Sequence, residues 1–172
     1  MGDPAPAPPS DIPAAAAAAS DAETLAHVVA YHTARCCASP IYEFLLGPAT
    51  APLIRFTHAT KGLFLARLVL SARHLNSAGG LHGSVSATIV DWAGGLAIAA
   101  WDLRQATGVS VDINITYLSS VGLGDEVEIE GSAGRVGGSL AFTEVKIWKV
   151  EGGERGRIVV QGRHTKFVKA KK

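Results

Sequence analysis

The residues best suited to chemistry lie in one stretch, HLNSAGGLHGSVSATIVDW, from His74 to Trp92. Asn76 precedes a turn of small residues, and Gly83 opens a small, apolar segment in which Asp91 is the only charged residue. The free backbone N–H groups at a helix start can stabilise an oxyanion. A carboxylate on a buried helix is costly unless it has a partner or a task. Together these residues indicate an enzyme that acts on a carbonyl group.

Two kinds of pattern predict the elements that would position these residues. The segment from Gly83 to about Ala100 is apolar on every side, which is typical of a helix buried in a core. Short extended segments predict two strands before this helix and four after it, at Leu53–His58, Leu63–Asn76, Gly108–Leu118, Glu126–Arg135, Leu140–Val150 and Arg157–Val168. One long buried helix against one antiparallel sheet is an α+β domain.

The strand after the helix has the clearest alternation in the chain. Successive side chains of a strand point to opposite faces. The two predicted faces are an apolar one and a polar one, formed by Val109, Val111, Ile113, Ile115 and Tyr117 and by Ser110, Asp112, Asn114 and Thr116. A small hydroxyl such as that of Ser110 has a structural role by default, so the alternation alone assigns it no chemistry.

The composition sets the broad class of protein. The chain has 172 residues, of which 48% are hydrophobic, so we expect one domain with a full core. A net charge of +1 gives no field that would attract nucleic acid, and the apolar runs predict no membrane span. Cys36 and Cys37 are adjacent, which suits neither a disulfide framework nor a metal site. We therefore expect a reduced intracellular protein without metal or cofactor.

The N-terminal part differs in composition from the rest. The first residues are rich in proline and alanine, which favours a disordered tail. Ser20 and Glu23 fit a capping box that would begin a helix ending near Ala38, and Ile41–Leu46 is predicted as a short helical turn. The predicted organisation is a tail, a helical extension and a main domain, at residues 1–19, 20–51 and 52–172.

Several sequence phrases, taken with the order of the elements, resemble one known family. They are His82-Gly83 with Asp91, then GVSVDINITYLSS at Gly108–Ser120 and QGRHTKF at Gln161–Phe167. They are similar to the acyl-CoA thioesterases of the hotdog fold, in the group of PaaI and thioesterase superfamily member 2. The resemblance covers roughly Pro52 to Lys169 and implies a long central helix wrapped by a curved antiparallel sheet.

The resemblance implies roles for five residues. In that family the counterparts of Asn76 and Ser110 hold the attacking water, and the Gly83 amide polarises the thioester carbonyl. The counterpart of His82 makes a hydrogen bond nearby. Asp91 corresponds to the general base or nucleophile, and its residue type leaves the choice between the two open. The reaction implied is hydrolysis of an acyl-CoA to coenzyme A and a carboxylic acid, with no cofactor.

The resemblance also implies where the coenzyme A of the substrate would lie. The matching positions are Tyr117, Leu118, Ser119, Arg135, Gly137, Gly138, Ser139 and Phe167. The chain departs from the family at Gly122 and Gly138, where lysines are expected, and at Phe167, where histidine is common. The candidate cations for the phosphates are then Arg135, Arg163 and Lys166.

The spacing of Gly83 and Asp91 predicts a shared active site. Eight residues of helix span roughly 12 Å, so a carbonyl bound at Gly83 is hard for Asp91 of the same chain to reach. Two chains with antiparallel helices would bring one Gly83 beside the other Asp91, giving two sites per dimer. The resemblance further implies a tetramer built from two dimers.

Other interpretations stay open at this point. A hotdog hydratase or dehydratase would need a histidine base paired with a carboxylate at a different spacing. Separately, His164 is interpreted as a packing or surface residue. A non-catalytic module that binds acyl-CoA or lipid, and a thioesterase acting on an acyl carrier protein, fit the missing lysines. We expect a cytoplasmic protein, with mitochondria as the alternative.

Overall fold

The computed structural model describes residues 19–47 and 53–169, so the predicted disordered tail lies outside the described residues except for Ala19, as does the boundary predicted at residues 51 and 52. The helices are α1 (Asp21–Tyr31), α2 (Pro40–Leu46) and α3 (Gly83–Asp102). The strands are β1 (Ile54–Thr60), β2 (Leu63–Val69), β3 (Val109–Tyr117), β4 (Glu126–Val136), β5 (Leu140–Glu151) and β6 (Glu154–Phe167).

The strands form one antiparallel sheet in the order β1-β2-β4-β5-β6-β3. The long helix α3 packs across one face of it, and α1 packs against β1 and α3. The predicted α+β class and the order of the elements are confirmed. Strand β3 follows α3 along the chain, but in the sheet it lies next to β6 at the end of the strand order. It is therefore a terminal strand of the sheet.

Helix α3 forms the centre of the core, as its uniformly apolar sequence predicts. Its length and composition would suit a membrane span, but 72% of its most apolar 18-residue stretch is buried inside the fold. Glycines allow this close packing. A Cβ at Gly94 would lie 2.6 Å from Nδ1 of His164 on β6, and a Cβ at Gly162 would lie 2.7 Å from Val90. The helix and the sheet therefore approach more closely than larger residues allow.

The N-terminal extension begins as predicted and then departs from a regular helix. Ser20 accepts a hydrogen bond from the N–H of Glu23 and the Glu23 side chain accepts one from the N–H of Ser20, which is the predicted capping box. The single helix predicted to Ala38 is wrong, since α1 ends at Tyr31 and a π-helical turn follows at His32–Cys36. This wider turn places the His32 ring 5.7 Å from that of Trp92, centroid to centroid.

The strand predicted over Leu63–Asn76 is too long. Strand β2 ends at Val69, and a short 3-10 turn at Ala72–His74 follows. The reason is local capping: Nδ1 of His74 accepts a hydrogen bond from the N–H of Ser71 at 2.9 Å, which curls the chain out of the sheet. Asn76 therefore lies in a loop and not at a strand end.

A β-bulge in β3 changes the predicted faces of that strand. Ser110 pairs with Lys166 and Asp112 with Thr165, so Val111 is an extra residue without a partner on β6. A bulge shifts the alternation by one position. Ser110 therefore lies on the face that packs on α3, and the prediction that it shares a face with Asp112 is wrong.

Candidate active site

The residues singled out from the sequence fall into two groups at opposite ends of β3. Near the start of β3, Ser110 contacts Asp91. Near its end, Tyr117 contacts Gly83. Helix α3 therefore runs antiparallel to β3, and the two groups are separated along both elements. We call them the carboxylate cluster (Tyr42, Asp91, Ser110, His164 and Lys166) and the helix-start cluster (Asn76, His82, Gly83 and Tyr117).

In the carboxylate cluster, Asp91 accepts a hydrogen bond from the Ser110 hydroxyl, with 3.1 Å between Oγ and Oδ1. The Nε2 atom of His164 lies 2.9 Å from the same hydroxyl and 3.5 Å from Oδ1 of Asp91. The Asp91 side chain is 33% exposed, whereas that of His164 is fully buried. Asp91 and the exposed Ser110 are thus open to a substrate, whereas His164 is not.

The protonation of His164 follows from its surroundings. Burial lowers its pKa, and the charge of Lys166 lowers it further. A neutral ring with its proton on Nε2 donates to the Ser110 oxygen, which leaves the serine proton for Asp91. The three side chains then form one chain of hydrogen bonds that ends on the carboxylate.

Lys166 places a positive charge beside this carboxylate. Its Nζ lies 3.9 Å from Oδ1 of Asp91, and its side chain is 9% exposed. Burial lowers the pKa of Lys166, and Asp91 acts in the opposite direction. This position in the interior takes Lys166 out of the set of candidate phosphate-binding cations, because coenzyme A phosphates would meet the protein at its surface.

Tyr42 completes the carboxylate cluster from the N-terminal extension. Its hydroxyl donates to Oδ2 of Asp91 at 2.5 Å, so both carboxylate oxygens are held, one by Tyr42 and one by Ser110. The sequence analysis did not select Tyr42 or His164. The i, i+2 spacing of His164 and Lys166 on β6 is a weak signal that they share a face. Tyr42 gives no such signal, because 48 residues separate it from Asp91 along the chain.

In the helix-start cluster, His82 is the N-cap of α3. Its Nδ1 accepts hydrogen bonds from the backbone N–H of Ser84 at 3.1 Å and from the Ser84 hydroxyl at 2.8 Å. The N–H of Gly83, the first of the helix, has no hydrogen-bond acceptor within the described part of the chain. Gly83 lines a cavity of about 260 Å³ together with Tyr117. A carbonyl oxygen in this cavity could accept from the helix start.

Asn76 lies in the loop before α3. Its Oδ1 accepts hydrogen bonds from the N–H groups of Ala78 and Gly80, at 2.9 and 3.1 Å, so the amide oxygen shapes the turn. Gly80 in turn forms a β-bridge with Gly122. Nδ2 of Asn76 makes no hydrogen bond among the described residues. Shaping the turn through Oδ1 is therefore compatible with the water-holding role that the resemblance implies for Asn76.

The positions expected to contact coenzyme A also lie at two ends of the sheet. Tyr117 and Ser119 line the cavity beside Gly83, and Leu118 between them is exposed. Phe167 lines a second cavity of about 620 Å³ near the start of β3. Beside it lies the β4–β5 turn of Gly137, Gly138 and Ser139, which follows Arg135 at the end of β4. The Ser139 carbonyl accepts a hydrogen bond from the N–H of Val168. One chain alone does not bring these two sets together.

Comparisons with known proteins agree on one family. The profile of the thioesterase superfamily matches residues 78–155. The human protein named acyl-coenzyme A thioesterase 13 is 36% identical over 127 residues, which cover 74% of this chain and 84% of that protein.

Solved structures give the same answer. Zebrafish thioesterase superfamily member 2 superposes with a TM-score of 0.69 at 29% identity, covering 87% of this chain and 99% of that one. A hypothetical thioesterase protein from Streptococcus pneumoniae, solved with coenzyme A, gives a TM-score of 0.59 at 25% identity over 66% of this chain and 84% of that one. This chain therefore belongs to the thioesterase superfamily, with the hotdog fold, and is a thioester hydrolase.

Proposed function

We propose that this protein hydrolyses acyl-CoA thioesters, with Asp91 as the reacting carboxylate. The observation that supports this most directly is the environment of Asp91, which is partly exposed, held through both oxygens and placed beside Lys166. The names of the human relative and of the pneumococcal structure point to the same class of substrate.

The chemistry follows from the two clusters. The Gly83 N–H polarises the thioester carbonyl and stabilises the oxyanion as the carbon becomes tetrahedral. Asp91 either takes a proton from water, which attacks that carbon, or attacks it directly to form an anhydride that water then cleaves. In both routes the carbon–sulfur bond breaks, the proton passes to the thiolate of coenzyme A, and the acyl group leaves as a carboxylic acid. Asn76 and Ser110 hold the water.

The site is shared between two chains. Gly83 and Asp91 are about 12 Å apart along α3, and they contact opposite ends of β3. Strand β3 is a terminal strand with exposed apolar side chains, Val109 and Val111 being 65% and 59% exposed. Such an edge is suited to pairing with another strand. Two copies of β3 that pair antiparallel about a two-fold axis near Ile113 and Asn114 would place Ser110 opposite Tyr117 of the partner subunit.

The same pairing unites the two sets of coenzyme A positions. One chain contributes Tyr117, Leu118 and Ser119, and the other contributes Phe167 with the β4–β5 turn. The remaining candidate cations for the phosphates are the exposed side chains of Arg135 and Arg163.

Thiol release from a panel of acyl-CoAs, from acetyl through palmitoyl and phenylacetyl, tests the proposal with wild type beside Asp91→Asn. We expect turnover of at least one chain class by wild type and a loss of about 10²–10⁴-fold in the variant, since the amide can neither accept a proton nor attack. Tight binding of acyl-CoA without turnover would contradict the proposal and favour a binding module. Turnover of acyl carrier protein thioesters alone would replace the substrate class.

A further inference from the structure

We propose that Tyr42, on the N-terminal extension, is a positioning residue for the Asp91 carboxylate. The inference rests on the proposed function, because it gives Asp91 the reacting role. Tyr42 lies outside residues 78–155, which match the superfamily profile.

The extension is fixed firmly enough for this role. Leu45 and Leu46 of α2 are buried in the core. The carbonyl of Leu45 accepts a hydrogen bond from Nε2 of His74 at 2.8 Å, and the carbonyl of Phe44 accepts one from Arg73 at 2.9 Å. These two donors belong to the 3-10 turn that leads to Asn76. Helix α2 therefore connects the position of Asp91 with the loop that begins the helix-start cluster.

The contact itself has a defined direction. The Tyr42 hydroxyl donates to Oδ2 while the Ser110 hydroxyl donates to Oδ1, so rotation of the carboxylate about its Cβ–Cγ bond breaks at least one hydrogen bond. Burial and the neighbouring Asp91 raise the pKa of Tyr42, which keeps it protonated and able to donate. Without the phenol, Ser110 alone would hold one oxygen and the other would be free to turn away from the thioester.

Tyr42 is one of several polar or charged groups around Asp91. The other groups that face Asp91 belong to the π-helical turn, β3 and β6, and they are Cys36, Ser110, His164 and Lys166. Burial raises the pKa of Cys36 to about 12, so its thiol stays neutral, and the positive neighbour is Lys166. Removing the phenol leaves these groups in place and takes away one donor.

The test compares Tyr42→Phe with Tyr31→Phe. Tyr31 lies on the same extension, but its hydroxyl is 3.2 Å from Thr107 and makes no hydrogen bond with Asp91, so the second variant is a matched control. We would measure kcat, KM and their pH dependence with the best acyl-CoA substrate, together with the melting temperature. The ¹³C NMR signal of the Asp91 carboxyl would be recorded at one fixed pH, with Asp91→Asn identifying it.

In Tyr42→Phe we expect kcat to fall about tenfold with little change in KM. The ¹³C signal of the Asp91 carboxyl should move, because one of its two side-chain hydrogen bonds is lost. Tyr31→Phe should keep both kcat and this signal at the wild-type values. Wild-type kcat with an unmoved signal would overturn the inference while leaving the proposed function intact.

A fall in kcat with an unmoved ¹³C signal and a lower melting temperature would also overturn it, in favour of a purely structural role. If wild type hydrolyses no acyl-CoA, the proposed function fails, and the NMR signal still decides the contact. An Asp91 signal that is the same in wild type and Tyr42→Phe would then show that the phenol does not act on this carboxylate.

Discussion

At the scale of single residues, Asp91 is the point where separate parts of the chain meet. Its two oxygens accept from Tyr42 on α2 and Ser110 on β3, while Lys166 on β6 lies 3.9 Å away. Hydrogen bonds and a nearby cation offset the cost of placing a charge on a largely buried helix. The same contacts fix the orientation of the carboxylate, as its proposed reacting role requires.

A second buried residue, His32, predicts a dependence of stability on pH. Its Nδ1 accepts from the indole N–H of Trp92, and burial lowers its pKa to about 4 from an ordinary value of 6.5. Between pH 6.5 and pH 4, His32 is therefore protonated in the unfolded chain but neutral in the folded one. As the pH falls through that range, the free energy of unfolding should decrease by an amount on the order of 2 kcal/mol, and above pH 6.5 His32 should have no such effect.

Urea unfolding of wild type and His32→Gln at several pH values measures this contribution. The glutamine keeps an acceptor for Trp92 and does not titrate, so the difference between the two proteins should narrow as the pH falls from 7 to 4. Carboxylates such as Glu128, whose pKa is lowered by its arginine partners against the opposing effect of burial, affect both proteins alike. Parallel curves would show that His32 is protonated in the folded state as readily as in the unfolded one.

At the scale of elements, two adjacent glycines of α3, Gly94 and Gly95, differ in how closely the neighbouring residues pack against them. A Cβ at Gly94 would lie 2.6 Å from His164 and 2.8 Å from Thr143, whereas the nearest atom to a Cβ at Gly95 is Thr107 Oγ1 at 3.4 Å. Both glycines weaken the helix equally by their backbone freedom. Only Gly94 is required by close packing.

We therefore expect Gly94→Ala to destabilise the protein by about 1–2 kcal/mol, since overpacking a core outweighs the gain in helix propensity. Gly95→Ala should be neutral or stabilise it by up to about 1 kcal/mol. Gly94→Ala should also lower kcat, because the displaced His164 ring holds Ser110. Denaturant unfolding and thiol release on both variants check this, and equal effects of the two substitutions would contradict the packing argument.

At the scale of the whole molecule, the separation of the two clusters predicts complementation between inactive chains. In a mixed dimer of Asp91→Asn and Asn76→Ala chains, one shared site receives both substitutions and the other receives neither. Random pairing of equal amounts should therefore restore about a quarter of the wild-type activity. Activity after co-refolding, measured against each variant refolded alone, tests this, and mixtures that stay inactive would show that each chain contains its own complete site.

The sequence predicted the periodic features of this fold well. The uniformly apolar run predicted α3, and the extended segments predicted six strands in the observed order. The strand ends differ by a few residues, except that β2 ends at Val69 and not at Asn76. Local capping was missed at His74, where a side chain replaces the strand's backbone pairing. The π-helical turn after Tyr31 was also missed, since helical periodicity does not distinguish it from a continued α-helix.

By itself the sequence determined the fold class, the family and the residue types of the candidate site, because periodicity and short motifs are local properties of the chain. The tertiary structure alone decided which of those residues meet. The bulge at Val111 placed Ser110 on the helix face, and the path of the extension brought Tyr42 to Asp91. Contacts between residues far apart in sequence depend on how all elements pack at once, and no local pattern encodes that result.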